Sequence, residues 1–175
     1  MIKLIEIAEE FGRIIWPIKK DLQVNDLILY GSLAYEAKKP KDVDIMVIHH
    51  NPILDKLEIM IKENKFITDQ EVFSFLTKSI KNFNLRDIIR ETSIEEAIKK
   101  GKFHTVYINS TFFYDPEYQK KWRIMHSAKN KDINKTKKWG NERFEETALR
   151  FGLLWNPQTK KYDLPANLKY KITKL

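Results

Sequence analysis

Two aspartates at the start of an apolar stretch are the residues whose types and spacing point most directly to chemistry. Asp42 and Asp44 open the sequence DVDIMVI, and residues two apart in a strand project from the same face. Neighbouring carboxylates repel each other unless a cation lies between them. Oxygen ligands suit Mg²⁺ or Mn²⁺, so Asp42 and Asp44 are predicted to bind one of these ions.

A Gly31-Ser32 turn precedes this pair, and Ser32 lies ten positions before Asp42. The turn ends the apolar run LILY and is predicted to open a short helix. Its backbone amides can hold a triphosphate, and glycine lets the backbone approach the phosphates closely. A phosphate-binding turn followed by a metal-binding pair predicts in-line attack of a hydroxyl on an α-phosphate, assisted by two metal ions.

The turn and the aspartates resemble the signature of the nucleotidyltransferase superfamily typified by DNA polymerase beta, in which Gly-Ser is followed by Asp-x-Asp on the next strand. The resemblance implies a polymerase beta-like palm with Gly31 and Ser32 at the nucleotide. It also implies a DNA polymerase X-like enzyme that transfers a nucleotide from a nucleoside triphosphate to a nucleic-acid 3′-hydroxyl. Residues 141–156 are similar to the thumb helix of X-family polymerases, which implies that Asn141 contacts the incoming base.

The third carboxylate of that family has no clear counterpart in this sequence. The family carries it on a later palm strand, whereas the corresponding segment FHTVYINS contains His104 and no acid. Glu71, just before the strand-like VFSFL, is the candidate for this catalytic role. His104 can be interpreted as a base or as a hydrogen-bonded structural residue. A catalytically impaired, nucleic-acid-binding member of the same fold is therefore an alternative function.

Basic residues are concentrated near the C-terminus. Residues 1–119 hold 17 Lys/Arg and 19 Asp/Glu, a net charge of −2, whereas residues 120–175 hold 15 and 5, a net charge of +10. Such an asymmetry favours a polyanionic partner, and Lys135, Lys137 and Lys138 are predicted to bind DNA or RNA. A transferase acting on a small-molecule or protein hydroxyl is a further alternative, which a lobe of this charge disfavours.

Aromatic residues alternate with lysines in the same region, at Trp139, Trp155 and Tyr162. Aromatic rings next to cations suit stacking on bases, but the same rings could equally fill the core of a small lobe. His49-His50, at the exit of a strand, could be metal ligands, but without a third histidine nearby the pair is interpreted as a loop. Asp26, before the first strand, is interpreted as a turn residue.

The pattern of apolar residues predicts an α+β fold in which a small mixed sheet is flanked by helices. A palm domain is expected over 1–126 and a basic, α-rich, thumb-like lobe over 127–175. Helices are predicted over 2–20, 53–64, 85–89, 92–101, 115–126 and 141–152, and strands over 27–30, 43–48, 66–68, 72–77 and 103–109.

Composition narrows the class of protein. The apolar fraction of 42% indicates a globular chain. The sequence contains no run of eighteen apolar residues, which is the length needed to span a membrane. The chain contains no cysteine, which excludes disulfides and thiolate metal sites. We expect a cytoplasmic monomer whose partners are a nucleoside triphosphate and DNA or RNA, the choice between the two nucleic acids being open.

Overall fold

The computed structural model describes residues 3–35, 39–62, 69–80, 84–113 and 151–170. Within these ranges the helices are α1 (Leu4–Ile15), α2 (Lys19–Leu22), α3 (Gly31–Ala34), α4 (Pro52–Lys62), α5 (Asp69–Ser79), α6 (Leu85–Ile89) and α7 (Ser93–Lys99). The strands are β1 (Val24–Tyr30), β2 (Val43–His49), β3 (Phe103–Asn109), β4 (Leu153–Asn156) and β5 (Lys161–Pro165). None of the described helices has the length and apolar character needed to cross a membrane.

The five strands form one mixed sheet in the order β3-β2-β1-β4-β5. β2 and β3 run parallel, while β1 is antiparallel to both β2 and β4, and β4 is antiparallel to β5. A parallel pair needs a crossover connection, which here contains α4 to α7. The predicted α+β architecture with a mixed sheet flanked by helices is therefore confirmed.

Helices pack on one face of the sheet, because alternate strand residues supply an apolar layer there. Val43, Ile45 and Val47 of β2 lie in this layer with Phe11 of α1 and Leu57 of α4. Phe11 and Phe103 meet edge to face with ring centroids 5.1 Å apart. The arrangement follows from the strand period of two, which sends the intervening residues to the other face.

The opposite face carries a smaller apolar cluster, which includes Ile28, Met46 and Ile108. Ala166 and Tyr170, from the C-terminal segment, belong to the same cluster. A short 3₁₀ helix, Ala166–Leu168, leads the chain onto it. Two sheet faces with different partners result, and only the first is covered by the long helices.

The C-terminal segment differs from its prediction where the structure describes it. Residues 151–170 contain β4, β5 and a 3₁₀ turn rather than an α-rich lobe, and β4 pairs with β1 at Leu153 and Leu154. Short strands interrupted by prolines have no helical period, and their pairing partner lies far away in the sequence. The boundary between 126 and 127 stays a prediction, as do the helix over 115–126 and residues 141–150 of the helix over 141–152, which lie outside the described residues.

Aromatic residues of this segment belong to the main core. Trp155 and Tyr162 are 3% and 5% exposed, with ring centroids 5.1 Å apart. The Tyr162 hydroxyl donates to the Ala8 carbonyl of α1 at 3.0 Å. Neither ring can stack on a base, so the core interpretation was right for both. Trp139 lies outside the described residues.

The strand predicted over 72–77 is wrong. Residues Asp69–Ser79 form α5, whose buried side chains are Val72, Phe73 and Leu76. Their spacing matches a helix face, whereas a strand would bury alternate positions. Local β-propensity was overridden by packing of that face into the apolar layer. The strand predicted over 66–68 lies outside the described residues.

The interpretation of Asp26 as a turn residue is also wrong. Asp26 is a residue of β1 and is only 6% exposed. The Tyr170 hydroxyl donates to its carboxylate, and the Lys169 ammonium lies 2.8 Å from the same oxygen. A buried carboxylate requires such partners. Asp26 therefore anchors the C-terminal segment to the sheet face that the long helices leave open.

Candidate functional site

The Gly31-Ser32 turn lies where β1 ends and the one-turn helix α3 begins. Gly31 has φ +76°, a left-handed conformation that glycine adopts at little cost. A Cβ at this position would lie 2.4 Å from the Asp44 carboxylate oxygen Oδ2. Glycine thus allows the Asp44 carboxylate to pack directly against the backbone of the turn.

Ser32 connects the turn to the loop that carries the first aspartate. Its hydroxyl oxygen accepts a hydrogen bond from the Lys41 backbone N–H at 3.2 Å. Asp42 is the next residue, one position before β2 begins. The serine side chain therefore helps to set the distance between the turn and Asp42.

Strand register determines which side chains share the face with Asp44. Asp44 pairs with Tyr30 on β1 and with His104 on β3, and directly paired residues project from the same face. Tyr30 belongs to the cluster on the face opposite the long helices. Asp44 and His104 consequently lie on that open face, at the end of the sheet next to the turn.

Asp42 joins this group through His104. The His104 Nε2 lies 3.5 Å from Asp42 Oδ2, and the two side chains are 41% and 32% exposed. The structure therefore places Asp42, Asp44 and His104 at the same end of the sheet, next to Gly31 and Ser32. Two carboxylates, partly open to solvent, supply oxygen ligands of the kind that Mg²⁺ or Mn²⁺ takes, so this end of the sheet fits the predicted ion chemically.

Glu71 does not lie with Asp42 and Asp44 on the open face of the sheet. It is an exposed residue in the first turn of α5. The buried residues of α5 pack into the layer on the face opposite Asp44. The structure therefore offers no support for Glu71 as the third carboxylate. Asn141, Lys135, Lys137 and Lys138 lie outside the described residues, and their roles stay predictions.

At the far end of β2, sequence reasoning considered His49 as a metal ligand but missed the acids that the structure places beside it. His49, interpreted as a loop residue, is fully buried at the last position of β2. Its Nε2 lies 4.0 Å from Asp55 Oδ1, and candidate ligand atoms of His49, Asp55 and Glu58 all lie within 4.8 Å of one another. The signal that could have found it is the spacing of Asp55 and Glu58, which puts both on one face of α4.

The proton on His49 argues against metal binding in this cluster. Its Nδ1 accepts a hydrogen bond from the Asn51 backbone N–H at 3.1 Å, so Nε2 carries the proton of the neutral ring. A metal could bind Nε2 only at the cost of that hydrogen bond. Burial lowers the pKa of His49 to about 4, although Asp55 opposes this shift and His50 adds to it.

Asp55 is in turn held by Asn109, whose amide nitrogen donates to both carboxylate oxygens at 3.0 and 3.1 Å. This amide joins the end of β3 to α4. The buried His49 and Glu58 lie beside this anchored carboxylate, where α4 meets the end of β2. We therefore interpret the cluster as structural.

No protein-family model, curated protein or solved structure matches the chain. Membership of the nucleotidyltransferase superfamily is accordingly a hypothesis. It rests on the spacing of Gly31-Ser32 and Asp42-Val43-Asp44 and on the contacts just described.

Proposed function

We propose that this protein is a metal-dependent nucleotidyltransferase that transfers a nucleotide from a nucleoside triphosphate to a nucleic-acid 3′-hydroxyl. The observation that carries the proposal is the packing of the Asp44 carboxylate against Gly31, where a Cβ would be only 2.4 Å away. Phosphates at the turn would then lie beside the carboxylate, and a cation between them would neutralise both.

Each residue of the site has a role in this proposal. Asp42 and Asp44 would hold Mg²⁺ or Mn²⁺, which when bound supplies charge neutralisation and Lewis acidity at the phosphate. The Gly31-Ser32 turn would orient the triphosphate through its backbone amides. Ser32 maintains the position of the loop before Asp42 through the Lys41 amide.

His104 replaces Glu71 as the candidate for the third catalytic position. It stands on β3 next to Asp44 and has its Nε2 3.5 Å from Asp42. A neutral imidazole nitrogen can accept the proton of an attacking hydroxyl. The same contact favours the alternative of an impaired, nucleic-acid-binding protein, because a protonated His104 would form an ion pair with Asp42.

Primer extension tests the proposal. The full chain would be incubated with end-labelled DNA and RNA primers, dNTPs or NTPs, and Mg²⁺ or Mn²⁺. We expect incorporation by the wild type and a loss of about 100-fold or more in Asp44→Asn, because the ion loses a charged ligand. Asp21→Asn, an exposed aspartate on α2, is the matched control and should keep full activity.

Binding measured alongside separates the candidates. Asp44→Asn should bind the primer as tightly as the wild type or more tightly, since it has lost a negative charge, and its melting temperature should be unchanged. A wild type that binds nucleic acid without incorporating any nucleotide would support the impaired member instead. Nucleotide transfer only to a small molecule or a protein hydroxyl would favour the remaining alternative.

A further inference from the structure

An exposed aromatic ring lies beside the Gly31-Ser32 turn. Phe151 is 58% exposed, and its ring centroid is 6.0 Å from that of Tyr35 at an interplanar angle of 77°. Tyr35 directly follows α3, and its backbone N–H donates to the Gly31 carbonyl at 3.1 Å. The Phe151 ring is thus connected to the turn through a single side chain.

Strand pairing independently brings Phe151 to this end of the sheet. β4 is antiparallel to β1, with Leu153 opposite Leu29. Two residues before Leu153 and two after Leu29 are Phe151 and Gly31. The carbonyl of Gly152, which lies between Phe151 and Leu153, accepts a hydrogen bond from the Ala166 N–H at 3.0 Å. The backbone next to the ring is therefore anchored.

Exposure of a phenylalanine ring to water is unfavourable, since burial of its apolar surface would be stabilising. Gly152, the next residue, is buried, and so is Leu154. Phe151 is therefore exposed at the edge of a part of the chain that is otherwise largely buried. Because this backbone is already anchored, the protein would lose little conformational entropy when a ligand stacks on the ring.

We propose that Phe151, backed by Tyr35, stacks on the base of the nucleotide whose phosphates lie at the Gly31-Ser32 turn. This inference rests on the proposed function and adds a base subsite to it. Every nucleobase presents an aromatic face, so such a contact raises affinity for nucleotides over bare phosphates without selecting one base. The ring is uncharged, and its contribution is therefore independent of salt.

Equilibrium binding with matched ligands tests the subsite. Titrations of the full chain in Mg²⁺ would use ATP, CTP and inorganic tripolyphosphate, which carries the phosphates without a base. We expect Phe151→Ala to weaken binding of both nucleotides about 5- to 100-fold and to leave tripolyphosphate unchanged. Phe151→Trp should retain nucleotide affinity. Leu168→Ala, at a side chain that is 79% exposed, is the control and should change none of the three.

Each other outcome separates the two proposals. Equal weakening of ATP and tripolyphosphate by Phe151→Ala would mean that the ring only supports the turn, which overturns the subsite. Unchanged ATP binding in Phe151→Ala would also overturn it, while the proposed function would stand. A wild type that binds neither ATP nor tripolyphosphate would overturn the proposed function and the subsite together.

Discussion

At the scale of single residues, two side-chain environments determine the properties of β2 at its opposite ends. Gly31 makes room for the Asp44 carboxylate near the start of the strand. Near its end, His49 is fully buried with its ring kept neutral. The first environment bears on chemistry and the second on stability, and each can be tested with a closely matched variant.

A methyl group at Gly31 should affect stability and activity together. Gly31→Ala places a Cβ 2.4 Å from Asp44 Oδ2 and strains a backbone at φ +76°. Gly101→Ala meets a similar strain at φ +67° with no atom within 4 Å. We expect each variant to lose about 1–2 kcal/mol of unfolding free energy from the backbone, with a further loss and inactivity only in Gly31→Ala. Urea unfolding and primer extension measure both quantities.

Acid should destabilise the fold through His49. Its pKa is about 4 in the folded chain against 6.5 in the unfolded chain, so the unfolded state binds the proton first as pH falls below 6.5. The unfolding free energy should drop by about 3 kcal/mol by pH 4. His49→Gln should lack this component, whereas His50→Gln, at an exposed residue, should keep most of it, because burial is the largest cause of the shift and His50 the smallest.

Urea unfolding at pH 7, 5.5 and 4 checks this prediction. Asp55 and Glu58, the other ionisable groups of the cluster, are present in the wild type and in both variants. The difference between the pH profiles of the wild type and His49→Gln therefore isolates the histidine. Identical profiles would show that His49 is protonated without loss of structure.

At the scale of elements, α1 and β4 meet at a contact that has room for no additional atom. Gly12 of α1 is buried, and a Cβ there would lie 2.4 to 2.7 Å from three atoms of the Trp155 ring. The C-terminal strands are thus held to the first helix by close packing, and the Tyr162 hydrogen bond to Ala8 reinforces the same interface.

Gly12→Ala should destabilise the protein although it raises helix propensity. Alanine in a helix interior is favoured over glycine by about 1 kcal/mol, but overpacking a buried contact typically costs about 1–3 kcal/mol. We expect a net decrease in the urea midpoint. Gly12→Ala should lower the midpoint less in a Trp155→Phe background than in the wild type, because the smaller ring leaves room for the added methyl group. A rise in the midpoint of Gly12→Ala would contradict the contact.

At the scale of the whole molecule, the basic C-terminal residues and the proposed site are connected, because Phe151 belongs to the basic part of the chain. The net charge of +10 lies in residues 120–175, and Phe151, within that range, lies beside Tyr35. Nucleic acid bound by the basic segment would therefore be held by a part of the chain that also reaches the turn. Each phosphate contact releases counterions and steepens the dependence of affinity on salt.

Replacing Lys135, Lys137 and Lys138 by Ala should flatten the slope of log affinity against log salt by about 2–3. Lys20, Lys56 and Lys78, all exposed, provide a control triple of equal charge. That control should keep the slope of the wild type, as should Asp44→Asn. An equal change in both triples would indicate that net charge, rather than the basic segment, attracts the nucleic acid.

Local signals in the sequence were sufficient for several elements and for part of the site. The strand over 103–109 and the helix over 85–89 were predicted with the bounds they have. Thr92 accepts the capping hydrogen bond from the Glu95 N–H at 3.4 Å, and Gly101 has the positive φ expected after a helix. The Gly-Ser turn was predicted in the same way. For the helix caps and the turn, neighbours in the chain supply the interaction, and for the strand the residue types favour an extended backbone, so the sequence alone contains this information.

Only the tertiary structure decided how distant segments meet. β4 joins the sheet by pairing with β1, more than a hundred residues earlier, and β5 joins it by pairing with β4; Trp155 and Tyr162 on these strands are buried. Asp26 became an anchor because Lys169 reaches it, and His104 joined Asp42 because β3 lies parallel to β2. Backbone hydrogen bonds are the same for any residue type, so a strand's sequence does not identify its partner. Which buried polar groups are paired then depends on that choice of partner.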